Sequence, residues 1–359
     1  MKITLKNTPE QIELVKAMAS RNRDVAYEAQ TALAEFIGPV LAEVVNNAPV
    51  ISNLFTTLQY NADDNPSIPL DLYFDVADQD YVQVYSQSRA GGLPTSEVLP
   101  TSSELKIATY TLDSAVSFDR RYAAKSRMDV VAKTMTRVAQ EILLKQNSIS
   151  ANVLMKALDG ASTNSLTHVI KSNSTTGFTL IDLNAMFTRS KRILTSFAGG
   201  TPDSGVAKGL TDILVSPEVV ENLRAIAYQP LVGSVPNADV IAEDAYSAAG
   251  APSFYGVNII ELTEFGVNKK FTKLFTGSSY DGTNSFDSSA DDLIVGIDRT
   301  RESLIRPVAV DSENGAEFNL IADDQYSIRQ NKIGYFGSIE EGRIVVDDRA
   351  LIGCVVDAA

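Results

Sequence analysis

Cysteine and histidine are almost missing from this chain of 359 residues, since each occurs once, as Cys354 and His168. One cysteine cannot close a disulfide within the chain, and the two residues together cannot supply the ligand set of a zinc site. The sequence therefore excludes a disulfide framework, a zinc finger and a zinc hydrolase.

Long apolar runs are missing as well. No stretch approaches the roughly 20 residues that a membrane helix needs. The opening MKITLKNTPEQIE also lacks the apolar segment of a signal peptide. We therefore expect a protein that is made and stays in the cytoplasm, with no membrane partner.

Positive charge is in short supply: 45 Asp and Glu face 31 Lys and Arg, giving a formal net charge of -14. Binding to a phosphate backbone is driven by Lys and Arg, so this balance argues against a DNA-binding enzyme. An acidic protein can still enclose DNA, because repulsion keeps the polymer from sticking to the wall. With 44% apolar residues the chain has ample material for the core of one or two domains.

The first segment begins with a helix start signal. Thr8 is suited to the N-cap, Pro9 to the first helical position, and Gln11 follows the cap by three residues. The apolar stripe is thin, and Gly38-Pro39 is expected to break or kink the helix. We expect an arm that lies across another surface, with an ordinary surface helix as the alternative. The stripe comprises Ile12, Val15, Met18, Val25, Ala29, Leu33, Phe36 and Ile37.

The stretch from Pro69 to Phe118 has two runs of alternating character around a polar centre, SQSRAGGLPTSEVLPTSSE. Apolar residues alternate from Leu70 to Val76 and again from Leu105 to Phe118, which predicts a long two-stranded arm with a flexible tip. An isolated hairpin is marginal in water, because two strands cannot cover their apolar face. We expect another copy of the chain to cover it, and copies joined through unlike surfaces form rings, shells or filaments.

Capping patterns predict two more helices. Ser126, with Asp129 three residues later, begins a helix that runs to Gly160, about 30 residues or roughly 45 Å long. Thr179 with Asp182 begins another helix, which follows a loop rich in Ser, Thr and Asn at 162–177.

Strands dominate the rest of the chain. Ile213-Leu214-Val215 is expected to form a short buried strand, and Ser216-Pro217 to start the helix after it, a step typical of mixed domains. The run at 350–357 is apolar on both parities, which predicts burial on both faces. Together the patterns predict an α+β fold. Further strands are expected at 256–260, 273–275, 291–298 and 343–348.

This order of elements resembles the major capsid protein of tailed bacteriophages, which has the Hong-Kong-97-type capsid fold. Two stretches are similar to recurrent segments of that family: DILVSPEVVENLR at 212–224 and QYSIRQNKIGYFGSIEEGRIVVDDRALIGCVV at 325–356. The sharpest signals are the strand-Ser-Pro-helix step and Asp348-Arg349-Ala350. The resemblance covers nearly the whole chain.

The resemblance implies a division of the chain into named parts. These are an N-terminal arm at 1–60, an extended β-hairpin loop at 66–112, a peripheral domain at 113–204 and 326–359 with a spine helix at 126–159, and an axial domain at 205–325.

The resemblance also implies a function. The chain would be a head shell protein, not an enzyme and without a cofactor, that self-assembles as hexamers and pentamers into an icosahedral or prolate shell. The shell would form in the host cytoplasm, become part of the virion and enclose DNA without sequence-specific binding. Scaffolding, portal and decoration proteins are its expected partners.

Some members of the family join their subunits by a covalent cross-link through a lysine of the extended loop. This chain has no lysine between Lys16 and Lys106, so noncovalent contacts or a decoration protein are expected to hold that loop. The short arm and the start at Met1 favour a separate scaffold protein and no cleavage.

Few residues stand out as site candidates. Arg89 is the one positive charge in the loop tip, and we expect Arg89, Glu97 and Glu104 to pair with charges on an adjacent subunit. No catalytic, metal-binding or cofactor-binding residue is predicted. His168 is expected in a solvated loop, since no G-x-S-x-G motif accompanies it, and Cys354 as a small buried side chain in a strand. The acidic doublets at 63–64, 291–292, 323–324 and 347–348 are expected in turns and interfaces, because none has the spacing of a calcium loop.

Two other functions remain open at this point. An encapsulin-type compartment shares the fold and holds an enzyme cargo, although the long chain and the large loop favour the phage shell. A metal-dependent hydrolase that uses the acidic doublets belongs to a different class and is the weaker alternative.

Overall fold

The computed structural model describes residues 8–46, 50–61, 64–69, 104–163, 165–174, 177–193, 209–228, 253–254, 256–280, 284–310, 317–323 and 330–357. The first run of the predicted two-stranded arm, from Leu70 onward, and the polar tip lie outside these residues. The described residues form both helices and sheets, so the predicted α+β class is confirmed.

The helices are α1 (Pro9–Met18), α2 (Arg23–Asn46), α3 (Arg120–Ala124), α4 (Met128–Leu158), α5 (Leu180–Ile193) and α6 (Pro217–Tyr228). The strands are β1 (Thr56–Asn61), β2 (Ser67–Pro69), β3 (Glu104–Lys106), β4 (Thr109–Asp119), β5 (Ser162–Thr163), β6 (Leu166–Thr167), β7 (Val169–Lys171), β8 (Asp212–Val215), β9 (Ser253–Phe254), β10 (Val257–Glu261), β11 (Asp291–Ile297), β12 (Leu304–Val310), β13 (Asn319–Asp323), β14 (Lys332–Gly342), β15 (Ile344–Val345) and β16 (Leu351–Asp357).

The chain folds as two compact units. The first unit consists of Met1–Pro66, Lys106–Ser150 and Ile305–Ile344, and the second of Ser67–Leu105, Ala151–Leu304 and Val345–Ala359. These divisions differ from the ranges expected for the peripheral and axial domains, because sheet pairing assigns β12 and β13 to the first unit and β16 to the second. The assignment of peripheral and axial domains stays a prediction.

The first unit is built around β14. This strand of 11 residues pairs with β4 along its whole length, from Lys332 opposite Asp119 to Gly342 opposite Thr109. On its other side it pairs with β13 and β12, and β1 runs parallel to β12 at the edge. Alternation along β14 buries Ile333, Tyr335 and Ile339 on one face.

The pairing of β4 corrects the prediction for the second run of the two-stranded arm. Thr109 to Phe118 lies in the sheet of the first unit, and Phe118 is buried in its core against Tyr335. The alternation correctly predicts a strand, but the partner of that strand lies more than 200 residues away in sequence, which periodicity cannot reveal.

The leading helices are also packed against their own chain. Val15 and Met18 of α1 and Leu33, Ile37 and Leu41 of α2 are buried in the core of the first unit. The expectation of an arm that lies across another surface is therefore wrong for these side chains, because their own chain covers them. The start of α1 is as predicted, with the Thr8 side chain accepting from the backbone of Gln11.

Two helix boundaries differ from prediction. Helix α2 continues through Pro39 to Asn46, so the predicted break at Gly38-Pro39 is absent, because packing of the buried face of α2 offsets the one hydrogen bond that proline removes. Helix α4 begins at Met128, and Ser126 does not cap it, since its backbone is left-handed with a φ of 53°. The predicted length of α4 is confirmed at 31 residues, about 46 Å.

The second unit has a sheet in the order β7-β16-β11-β8-β10-β9. Strand β8 is wholly buried and leads into α6 at Pro217, and β16 is buried along Leu351–Val356, so both predictions are confirmed. Helices α5 and α6 share one apolar core with Ile213, Ile294 and Ile352. The capping pair of α5 is as predicted, since the Asp182 carboxylate accepts from the Thr179 backbone at 2.9 Å.

Two predicted strands are wrong or shortened. Thr272–Phe275 forms a 3-10 helix, and Phe275 packs edge-on against Phe286 at 5.4 Å. The strand expected at 343–348 is reduced to Ile344–Val345. The Asp347 side chain accepts from the backbone of Arg349 and turns the chain into a 3-10 helix, Asp348–Ala350.

Candidate functional site

The ends of the predicted extended loop are joined at its base. Strand β2 pairs with β3, and the backbone N–H of Ile107 donates to the carbonyl of Pro66 at 3.1 Å. The chain therefore leaves after Pro69 and returns at Glu104. Glu104 is exposed in β3. Arg89 and Glu97 lie outside the described residues, so the pairing of Arg89, Glu97 and Glu104 with charges on an adjacent subunit stays a prediction.

A cluster of buried charges lies in the first unit. Arg306 Nε is 2.8 Å from Glu341 Oε2, and Arg343 donates to both oxygens of the same carboxylate. Three more groups complete the cluster: Gln146 Nε2 donates to Glu341 at 3.0 Å, the Tyr110 hydroxyl donates to Glu341 at 3.0 Å, and Ser52 Oγ accepts from Arg343 at 2.7 Å. These side chains fasten β4, α4, β12, β14 and the segment before β1 to one another. We call them the Glu341 cluster.

Burial is the main reason why the pKa of Tyr110 is raised, and the neighbouring charge of Glu341 raises it further, against the opposing charge of Arg343. Tyr110 is therefore a hydroxyl donor throughout the physiological range. The cluster contains two arginines and one carboxylate, with no exposed reacting group. Its chemistry suits a structural clamp.

Sequence reasoning missed the Glu341 cluster, although a signal existed. Glu341 and Arg343 follow Ile339 at spacings of two, which places all three on the same face of an extended segment. A charge pair that continues an apolar alternation points to a buried ion pair.

His168 occupies a different environment from the predicted solvated loop. It is fully buried in the second unit, with Nε2 2.9 Å from Thr163 Oγ1 and Nδ1 3.1 Å from the carbonyl of Asp348. The surrounding Ser- and Thr-rich stretch forms the short strands β5, β6 and β7, and it closes over the ring. Burial holds the pKa of His168 below its ordinary value, although Asp348 and Asp347 oppose this shift.

The acidic doublets differ in their surroundings and in their pKa shifts. Asp347 pairs with Arg301 at 2.6 Å and with Arg349 at 2.9 Å. Burial would raise the pKa of Asp347, but hydrogen bonding and the charges of the two arginines outweigh it and lower the pKa. Asp292 is buried and accepts a hydrogen bond from Ser216, and burial raises its pKa. Asp63 and Asp324 lie outside the described residues.

The described residues contain one cysteine and no cluster of possible metal ligands. No group of three His, Cys, Asp or Glu side chains in that part of the chain is arranged to hold a metal ion. Cys354 is buried in β16, as predicted, and burial raises its pKa, so its thiol stays protonated. Among the described helices, none has the length and apolar character that crossing a bilayer requires.

Large apolar side chains are exposed on several described elements. Val25 (43%), Phe36 (56%) and Val40 (38%) are among the exposed side chains of α2. These three lie on one side of the helix, because the spacing of 11 residues from Val25 to Phe36 is about three turns and that of 4 residues from Phe36 to Val40 is about one turn. Leu144 of α4 is 58% exposed and Ile181 of α5 is 78% exposed. These side chains are candidates for contact with other molecules.

No protein-family model and no curated protein matches this chain. Among solved structures it is similar to the capsid of the cyanophage P-SCSP1u, with 13% identity, a TM-score of 0.48, and coverage of 85% of this chain and 87% of that one. It is also similar to the SrpI encapsulin complex of Synechococcus elongatus, with 10% identity, a TM-score of 0.46, and coverage of 85% and 86%. A virus-like particle from Pyrococcus furiosus has 13% identity, a TM-score of 0.45, and coverage of 89% and 98%.

The predicted resemblance to tailed-phage capsids thus has a counterpart among solved structures. Both phage capsids and an encapsulin are among those similar to this chain. The identities and TM-scores describe a distant likeness of fold.

Proposed function

We propose that this chain is the major head shell protein of a tailed bacteriophage, with a structural role and no catalysis. Many copies assemble as hexamers and pentamers into a closed shell that becomes part of the virion. The shell forms in the host cytoplasm and encloses DNA.

One observation carries this function. The chain leaves after Pro69 and returns at Glu104 to a closed base, and it then runs through β4 into the 31-residue helix α4. A long excursion followed by a long helix is the order that the sequence resemblance implies for an extended loop and a spine helix. Residues 70–103 contain many apolar side chains and are the natural candidates to contact other copies.

Charge supports a container for DNA over a DNA-binding surface. A net charge of -14 repels the phosphate backbone, so packaged DNA stays free of the wall and no base sequence is read. Exposed apolar residues such as Phe36 and Leu144 would be covered between copies, each contact contributing on the order of 25 cal/mol per Å² of buried apolar area. Scaffolding, portal and decoration proteins would act on the same shell.

The test is the content of particles made by the full chain during phage growth. Particles purified from infected cells and treated with nuclease are expected to retain DNA and to contain this chain as their most abundant protein. Shells that contain no DNA but hold a defined enzyme would support an encapsulin-type compartment instead. The absence of the chain from purified virions would refute the proposed role.

A further inference from the structure

A groove of about 890 Å³ lies between α5 and β7 of the second unit. Its apolar lining includes Ile170 of β7 and Ile181 and Ala185 of α5. Ile181 is 78% exposed although it stands in the first turn of a well-formed helix. Ile181 therefore adds a large, accessible apolar side chain to the lining of the groove.

The groove is basic, in contrast to the chain as a whole. Lys171, Arg189 and Arg192 line it, while the one acidic side chain there, Asp182, is committed to capping α5 through Thr179. Arg189 is held in place by a 3.3 Å hydrogen bond to the carbonyl of Thr167, and Lys171 lies 3.2 Å from Asp357. Because Asp357 offsets the charge of Lys171, Arg189 and Arg192 are the cations of the groove lining that favour an acidic occupant.

The groove also borders the open edge of a sheet. Strand β7 is at the end of its sheet and pairs in parallel with β16 on one side. Within the described part of the chain, no strand pairs with its other side. An unpaired edge recruits an extended segment through backbone hydrogen bonds, and the adjacent groove then takes the alternate side chains.

We propose that residues 70–85 of a second copy dock as an extended segment in the α5–β7 groove. This segment, LDLYFDVADQDYVQVY, contains four aspartates and no lysine or arginine, and its apolar side chains alternate with polar ones over 70–76. Its negative charge is thus complementary to Arg189 and Arg192, and its alternating pattern is typical of a strand. The inference rests on the proposed shell function, in which repeated contacts join one copy to the next.

Charge reversal tests the groove. Arg189→Glu with Arg192→Glu is expected to lower the yield of shells about tenfold or more, because each contact then juxtaposes like charges. Arg192→Glu alone leaves the Arg189 bond to Thr167 intact and is expected to have a smaller effect in the same direction. Lys269→Glu with Lys273→Glu is the matched control, since both lysines are exposed in the second unit outside the groove.

A charge swap identifies the occupant. Asp75→Lys with Asp78→Lys is expected to lower shell yield as well, and combining these changes with the groove reversal in one chain is expected to restore it to within about twofold of the unmodified chain. Mixing the chain that carries the two groove changes (the groove-reversed chain) with the chain that carries the two segment changes (the segment-reversed chain) is expected to give shells. Each groove then meets a segment of opposite charge on the other copy.

The outcomes separate the inference from the proposed function. Failure of the unmodified chain to form any shell refutes the function. Normal shells from the groove-reversed chain, or a lack of rescue by the swap, refute the docking of 70–85. Rescue within one chain without rescue on mixing shows that the segment docks on its own copy and overturns the second-copy assignment. Circular dichroism of each variant confirms that the reversed residues leave the fold intact.

Discussion

Arg306 and Glu341 form an ion pair that is buried on both sides: the Nε and Oε2 atoms are 2.8 Å apart, and the side chains are 2% and 0% exposed. Arg343, which follows the end of β14 directly, binds the same carboxylate. One glutamate thus neutralises part of the charge of two buried arginines. The first unit depends on this carboxylate because neither arginine can reach water.

Replacing Glu341 with Gln is expected to lower the free energy of unfolding by about 3–5 kcal/mol, because it leaves two buried cations without their counter-charge. Urea unfolding measures the loss. Glu340→Gln is the control, since Glu340 lies on the other face of β14 and its amide can still accept from Tyr60, so a change of about 0.5 kcal/mol or less is expected. Equal effects at the two positions would contradict the role of the Glu341 cluster.

Gly337 allows Phe318 to pack against β14. A Cβ at this position would lie 2.5 Å from Phe318 Cζ, and the ring is buried in the core of the first unit. Gly337→Ala is therefore expected to destabilise the protein by about 1–3 kcal/mol in thermal or urea unfolding. Gly38→Ala in α2 is the comparison, since its nearest neighbour would be at 3.9 Å and alanine favours a helix. A Gly337→Ala variant as stable as Gly38→Ala would show that the ring has room to move.

The single histidine predicts a pH dependence. Burial lowers the pKa of His168 below 6.5 in the folded state, so below that pH the unfolded chain takes up a proton that the folded chain does not. The stability contributed by neutral His168 is complete above pH 6.5 and is lost as the pH falls toward the lowered pKa. Urea unfolding from pH 7 to pH 5 is expected to show a steeper loss for the unmodified chain than for His168→Gln.

The comparison of slopes isolates His168 from other titrating groups. Burial raises the pKa of Asp292 and Asp298, so their contribution to stability is lost as the pH rises, which is the opposite direction. This contribution is the same in both proteins. Identical slopes for the two proteins would rule out the buried, neutral histidine.

Phe36 links the structure to assembly. At 56% exposure its side chain contributes little to the folded chain, so Phe36→Asp is expected to change the free energy of unfolding by about 0.5 kcal/mol or less. Shell yield in electron micrographs is expected to fall about tenfold, because a charge would enter an apolar contact between copies. Glu35→Gln, exposed on the same helix, should alter neither quantity. A normal shell yield from Phe36→Asp would show that this face of α2 does not contact other copies.

Local features of the fold were readable from the sequence because neighbouring residues determine them. The Thr8 and Thr179 caps and the step from β8 into α6 depend on side chains within a few positions of one another. Ser126 is an exception: it has the residue type of a cap, but its backbone is left-handed.

Long-range features were not readable. Periodicity marked Thr109 to Phe118 as a strand, but only the folded chain shows that β14 is its partner. The same holds for His168. Its polar neighbours in sequence predict exposure, but in the folded chain short strands and the 3-10 helix at 348–350 enclose the ring. Residues 70–103 lie outside the described part of the chain, so the pairing of β2 with β3 shows only where this stretch begins and ends, and its two-stranded form stays a prediction.

Sedimentation velocity of the full chain purified from infected cells, where a scaffold protein would be present, with electron microscopy of the same sample, tests the shell assignment most directly. We predict large closed particles with rings of six and five copies on their surface. A single species that sediments as one chain at every concentration, with no particles on the grids, would contradict it.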